Sequence, residues 1–115
     1  MNVDTLAAKI IKTSKSIRYV SIVSLSGKLV ISAHRKSVKT ALSKAESKQS
    51  LVMAARAWKT RKSLAKKIGR CKYVLAEYDR VKRITIPAGK NHIMYITTDP
   101  KANALPIINK IRKFR

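Results

Sequence analysis

Lysines and arginines carry most of the chemistry this sequence offers. Arg56, Lys59, Lys62, Lys66 and Arg70 recur at steps of three and four, with Lys67 beside them. On a helix that spacing stacks them along one side. No acidic residue lies between Glu46 and Glu77 to balance them. Like charges at these helical spacings repel by roughly 0.2–0.5 kcal/mol a pair. A polyanion would offset that repulsion, and each phosphate met by a cation would release a counterion. A solvated helix face is the plainer reading of any charge run, but here the excess extends through the chain. Lys110, Arg112 and Lys113 form a second candidate contact, and Lys82, Arg83 and Lys90 a third.

Other chemistries find little support. His34, His92 and Cys71 are the strongest metal-ligand types present, yet neither CxxC nor HxxxH spacing occurs. Cys71 reads as a small apolar packing residue. No GxSxG elbow exists, and three glycines in all leave no glycine-rich phosphate loop. The five acids read as structural: Asp4 and Asp99 as caps, Glu46 near a helix start, Asp79 in a turn and Glu77 on a strand. We therefore expect no catalytic residue, no metal and no cofactor.

The charge balance points the same way. The chain has 115 residues, with 27 Lys and Arg against 5 Asp and Glu, a formal net charge of +22. A field of that strength favours nucleic acid, an acidic protein or an anionic surface as partner. Apolar residues make up 45% of the chain, enough for a core, so disorder is not implied. The length fits one domain over residues 1–115. The single cysteine excludes an internal disulfide. No apolar run approaches the ~18 residues of a membrane span. The first apolar stretch is broken by Lys9 and Lys12, unlike a secretory signal, so the chain reads as cytoplasmic.

The elements that must hold these groups follow from periodicity. Asp4 to about Ser14 reads as a helix capped by Asp4, with Leu6, Ala7, Ile10 and Ile11 at helical spacing. Ile17 to Leu25 and Lys28 to His34 read as a hairpin turning at Ser26-Gly27. Ser37 to Ile68 holds the longest helix, the first dozen residues being a loop and the helix start. Its apolar stripe is Leu51, Ala54, Ala57, Trp58, Leu64, Ala65 and Ile68, with Gly69 as stop. Trp58 belongs in the core or against a second copy. Lys72 to Tyr78, Val81 to Ile86 and His92 to Thr98 read as three strands joined by tight turns. A last helix spans about Asn103 to Phe114, with Leu105, Ile108, Ile111 and Phe114 inward and Pro106 in its first turn. The order α-β-β-α-β-β-β-α predicts an α+β fold. It has a single five-stranded antiparallel sheet, a long central helix on one face and the terminal helices on the other.

Three stretches carry a family resemblance. Tyr19 to Val23 with Ser26 to Val30, the long helix stopping at Ile68-Gly69, and the meander from Cys71 through Ile86 to Ile93–Thr97 resemble the roadblock and profilin-like α/β/α sandwich family. The sequence is also similar to small archaeal proteins of roadblock type. The resemblance implies a non-enzymatic domain that pairs long helices side by side and joins third strands edge to edge, serving small GTPases and motor complexes as a scaffold. Carried onto this chain, it implies a homodimer interface over Leu51, Ala54, Trp58, Lys72, Val74 and Ala76. This chain is more basic than typical members.

Together these readings give two expectations. The first is a dimeric domain that binds nucleic acid phosphates, RNA or DNA, with little sequence preference, through Arg56, Lys59, Lys62, Lys66, Lys67, Arg70, Lys110, Arg112 and Lys113. The alternative is a roadblock-type scaffold whose partner is acidic, such as a small GTPase.

Overall fold

Strand register decides how the layers form. The computed structural model describes residues 3–35 and 42–114. In chain order they form α1 (Val3–Lys12), β1 (Ile17–Ser24), β2 (Leu29–His34), α2 (Lys44–Ser63), the short α3 (Ala65–Ile68), β3 (Val74–Glu77), β4 (Lys82–Pro87), β5 (His92–Thr98) and α4 (Ala104–Arg112). The five strands make one antiparallel sheet in the order β2-β1-β5-β4-β3. The predicted fold class and element order hold. The start of the long-helix segment, residues 37–41, lies outside the described residues.

Successive strand residues face opposite sides of a sheet. Here the pairing lines up Ala33, Val20, Ile96, Ile84 and Leu75 in one row across all five strands. Ile31, Ile22, Met94 and Ile86 form the next row on that face. Onto them α1 packs Leu6, Ala7 and Ile10, and α4 packs Ala104, Ile107, Ile108 and Ile111, giving the main core. The opposite face is unlike it. One of its rows reads His34, Tyr19, Thr97, Arg83 and Ala76; the next reads Ser32, Ser21, Tyr95, Thr85 and Val74. Only toward the end of the sheet does that face turn apolar, at Val23 and Ile93. There Ala55 and Trp58 of α2 pack in a second, smaller cluster. The central helix therefore covers one face and the terminal helices the other.

Local chemistry sets the boundaries. Ser43 caps α2: its hydroxyl accepts from the Glu46 N–H at 3.1 Å, and Glu46 Oε1 accepts from the Ser43 N–H at 2.9 Å. This reciprocal pair satisfies two donors the helix start leaves open. The backbone bond from Ser43, then its hydroxyl, hold the Glu46 carboxyl below its ordinary value. The expected single helix to Ile68 is instead interrupted at Leu64. Thr60 Oγ1 donates to the Arg56 carbonyl and Ser63 Oγ to the Thr60 carbonyl. Such side-chain bonds compete with the helical ladder. Gly69 takes a φ of +88° and ends the segment. No atom lies within 4 Å of where its Cβ would stand, so its backbone angle rather than space calls for glycine.

Several expected placements are corrected. Asp4 lies inside α1 rather than before it. Asp99 caps no helix; it accepts from Arg18 Nε at 2.5 Å, and Asn103 holds the cap position of α4. Leu105 and Phe114 are exposed, because the inward stripe of α4 runs through Ala104, Ile107, Ile108 and Ile111. Leu64 and Ile68 are exposed too, since the chain beyond Ser63 has passed the small cluster. Arg35 ties the α1–β1 connection from the end of β2, donating to the carbonyls of Ile17 at 2.8 Å and of Ile11 and Ser14 at 2.6 Å.

Ile96→Ala, in the middle of the buried row, should cost about 2–5 kcal/mol in urea unfolding, whereas Leu105→Ala should stay within ~0.5 kcal/mol. The Glu46 pair predicts a pH signature. A carboxyl whose folded pKa is lowered stabilises fully above its unfolded value and loses that contribution as pH falls through the folded one. The gap in urea midpoint between wild type and Glu46→Ala should therefore be constant near neutrality and shrink as the pH falls below about 4.5.

Candidate functional site: a basic cleft at the end of the long helix

Where α2 ends, the chain must return to the sheet, and the two strands beneath it must turn. Gly69 reverses the chain after α3, and residues 70–73 run without regular structure to β3. Opposite, Gly89 takes a φ of +78° in the β4–β5 turn, which Ala88 N–H closes on the His92 carbonyl at 2.9 Å. Lys62 Nζ reaches across and donates to the Lys90 carbonyl at 2.8 Å, tying the last turn of α2 to that turn. Between these segments lies a cleft of about 770 Å³. Trp58, buried against Val23, Ala55 and Ile93, forms its floor with Ala65, Cys71 and Pro87.

Five cations line the cleft: Arg61, Lys62, Arg70, Lys72 and Lys90. No acid does. Among the described residues the ion pairs are Arg18–Asp99 and Lys82–Glu77, so none of the five is neutralised by an acidic side chain. Arg61 and Lys62 also sit in the last turn of α2, at the negative end of its dipole, which favours them modestly. A concave wall focuses such a field. The arrangement can hold carboxylates or phosphates by charge-assisted hydrogen bonds. The thiol among its lining residues, Cys71, is half-buried and donates to the Tyr73 carbonyl at 3.5 Å.

The cleft gathers only part of what the sequence marked. Lys62 and Arg70 of the basic stripe line it, together with Trp58 and Lys72. Arg56, Lys59, Lys66 and Lys67 are exposed along the same α2–α3 segment. Lys110, Arg112 and Lys113 belong to the end of α4 on the other face of the sheet, and Arg112 is half-buried. Arg61 and Lys90 join the cleft through tertiary contact. Arg61 lies off the three-and-four stripe. Lys90 stands 28 residues beyond Lys62, a separation at which spacing along the chain carries no signal. The meander group separates. Lys82 donates to the Ala102 carbonyl at 2.7 Å and pairs with Glu77 at 3.5 Å, while Arg83 lies beneath α2.

Of the residues implied for pairing, Leu51 and Ala54 are half-buried and, with Trp58 and Val74, turn toward the small cluster. Ala76 is half-buried on β3, an edge strand. His34 lies on the opposite edge beside the Tyr19 ring, with 5.8 Å between centroids. Among the described residues no three His, Cys, Asp or Glu side chains gather as a metal site. No helix among them is long and apolar enough to cross a membrane.

No family model and no curated protein matches the sequence. Solved structures do match. A structure described as MglB with tetrameric arrangement superposes with a TM-score of 0.77 at 14% identity, over 96% of this chain and 79% of that one. The gliding protein MglB from Thermus thermophilus gives 0.77 at 13%, over 96% and 80%. A roadblock/LC7 domain from Streptomyces avermitilis gives 0.68 at 13%, over 99% and 98%. The likeness spans nearly the whole chain, which has the fold of MglB and the roadblock/LC7 domain.

Proposed function

We propose that this chain is a non-enzymatic, cytoplasmic assembly domain of roadblock type, one domain over residues 1–115. It pairs with a second copy and docks an acidic protein partner, such as a small GTPase, on its basic side. The observation that carries this reading is the cleft of five cations with no acid, on a fold shared with MglB. Self-pairing rests on the resemblance and on β3, whose outer edge has no strand beside it among the described residues. An unpaired edge is a template for another chain. The neighbouring structure with a tetrameric arrangement is consistent with assembly as the work of this fold.

Binding of nucleic acid phosphates is the second reading, and the same cleft favours it, with Arg56, Lys59, Lys66 and Lys67 alongside. Two observations rank it lower. Lys110 and Lys113 are exposed on the opposite face, so the positive charge does not form a single track. Of the four tyrosines, Tyr19, Tyr73 and Tyr95 are half-buried, which leaves Tyr78 as the one exposed stacking ring among them.

Two measurements test the assembly reading. Light scattering should return twice the 12.9 kDa chain mass. Affinity capture after nuclease treatment should retain a protein partner that leaves at high salt and is lost with Lys62→Glu/Arg70→Glu. Under the nucleic-acid reading, nuclease removes the bound material. Random duplex DNA or structured RNA then binds with a steep salt slope, losing ~10³–10⁵ in affinity between 50 and 200 mM salt for about six to ten phosphate contacts.

A further inference from the structure

The other end of α2 holds a different arrangement. There the helix lies over the polar rows of the sheet, and Arg83 rises from β4 into the gap. Its Nη1 donates to Ser50 Oγ at 2.5 Å and to Tyr95 Oη at 3.1 Å. The guanidinium stacks on the Tyr95 ring, 5.2 Å from its centroid. Ser50 and Tyr95 are themselves linked at 3.3 Å. Arg83 is half-buried, and its Nε is enclosed without a hydrogen-bond partner. An enclosed guanidinium ordinarily has a carboxylate beside it, because removing its charge from water is costly. None of the described acids supplies one: Asp99 is taken by Arg18, and Glu77 by Lys82.

Arg83 lines a cavity of about 530 Å³ between the first turns of α2 and the β3–β4 turn. Binding sites for small organic molecules occupy roughly 300–1,000 Å³. Tyr19, Met53, Tyr78 and Val81 supply apolar wall. Met53 and Tyr78 stay 62% and 56% exposed, which leaves apolar surface open on that wall. Glu46 is on the same wall, with its carboxylate bonded to the Ser43 N–H. Arg18, paired with Asp99, and Arg80 line the cavity too, so its charge stays positive overall, while the apolar wall disfavours a small hydrophilic anion.

We propose that this cavity binds a small monocarboxylate with an apolar body, the carboxylate on Arg83 and the body against Met53 and Tyr78. With Nη1 held by Ser50 and Tyr95 and Nε enclosed, Nη2 is the guanidinium nitrogen left to donate to the carboxylate, in a charge-assisted bond whose position those two hydroxyls fix. This site is separate from the basic cleft and does not rest on its reading.

Titration calorimetry with octanoate and 4-phenylbutyrate, against 1-octanol and 4-phenylbutanol, tests it on the intact chain. The acids should bind roughly tenfold or more tightly than the matched alcohols. Arg83→Lys should weaken the acids by about tenfold, and Arg83→Gln by more, without changing the alcohols. Octanoate should raise the thermal midpoint of wild type and not of Arg83→Gln; if that variant does not fold, Arg83→Lys decides the matter. Arg70→Gln, at the other end of the helix, should leave acid binding intact. Equal binding of acid and alcohol, wild-type affinity in the Arg83 variants, loss of binding in Arg70→Gln, or no heat from either acid at millimolar concentration would each overturn the proposal.

Discussion

The two faces of the sheet are chemically unlike, and the rest of the structure depends on that difference. Register aligns isoleucine, valine and methionine in rows on one face. Burying such side chains is worth roughly 1.5–3 kcal/mol each, so α1 and α4 are held chiefly by apolar contact. On the other face the rows are hydroxyls, tyrosines, a histidine and an arginine. A helix laid over them gains little from burial. Of the twenty residues of α2, Ala55 and Trp58 alone among those described are fully buried. The helix is held by that anchor, by its cap, and by hydrogen bonds from Ser50 and Lys62. Its two ends consequently stand over gaps, one basic and one built around Arg83.

Charge is the second constraint. With five acids in the chain, most cations cannot find a carboxylate, and several act as donors to backbone carbonyls instead. Arg35 closes the α1–β1 connection, Lys82 ties β4 to the segment before α4, and Lys62 ties α2 to the β4–β5 turn. Such bonds satisfy carbonyls that the turns would otherwise leave open, and a charged donor makes them stronger than neutral ones. They leave the positive charge itself uncancelled. Exposed like charges each cost little in water, since solvent and salt screen them. Four of the five at the cleft are exposed and screened in the same way, so it is their number around one concave wall, with no acid among them, that favours an anion there.

Architecture and charge thus speak to different questions. A backbone that superposes on MglB at 14% identity shows how the chain is folded, and many side-chain sets can share that backbone. The cations of the cleft and the Arg83 cluster are features of this chain's own residues. Assembly through the fold and recognition through the surface are therefore compatible.

Periodicity alone was enough for element order and fold class. Alternating β-branched runs, tight turns at Ser26-Gly27 and Pro87 to Asn91, and a long segment at helical spacing are local signals, and local signals survive in a sequence. Lys62 and Arg70 were legible for the same reason. Register was not: a strand's sequence shows which residues share a face but not which residues of other strands lie beside them. Hence Arg83 read as one of a meander patch with Lys82 and Lys90, although adjacent strand residues face opposite sides and Lys90 belongs to a turn. The break at Leu64 and the exposure of Leu105 and Phe114 escaped because apolar type does not say where a neighbouring element stops. Sequence determined what each segment would become and how much charge it would carry. Tertiary structure decided which cations would meet, since distance in space between residues far apart along the chain is set by packing.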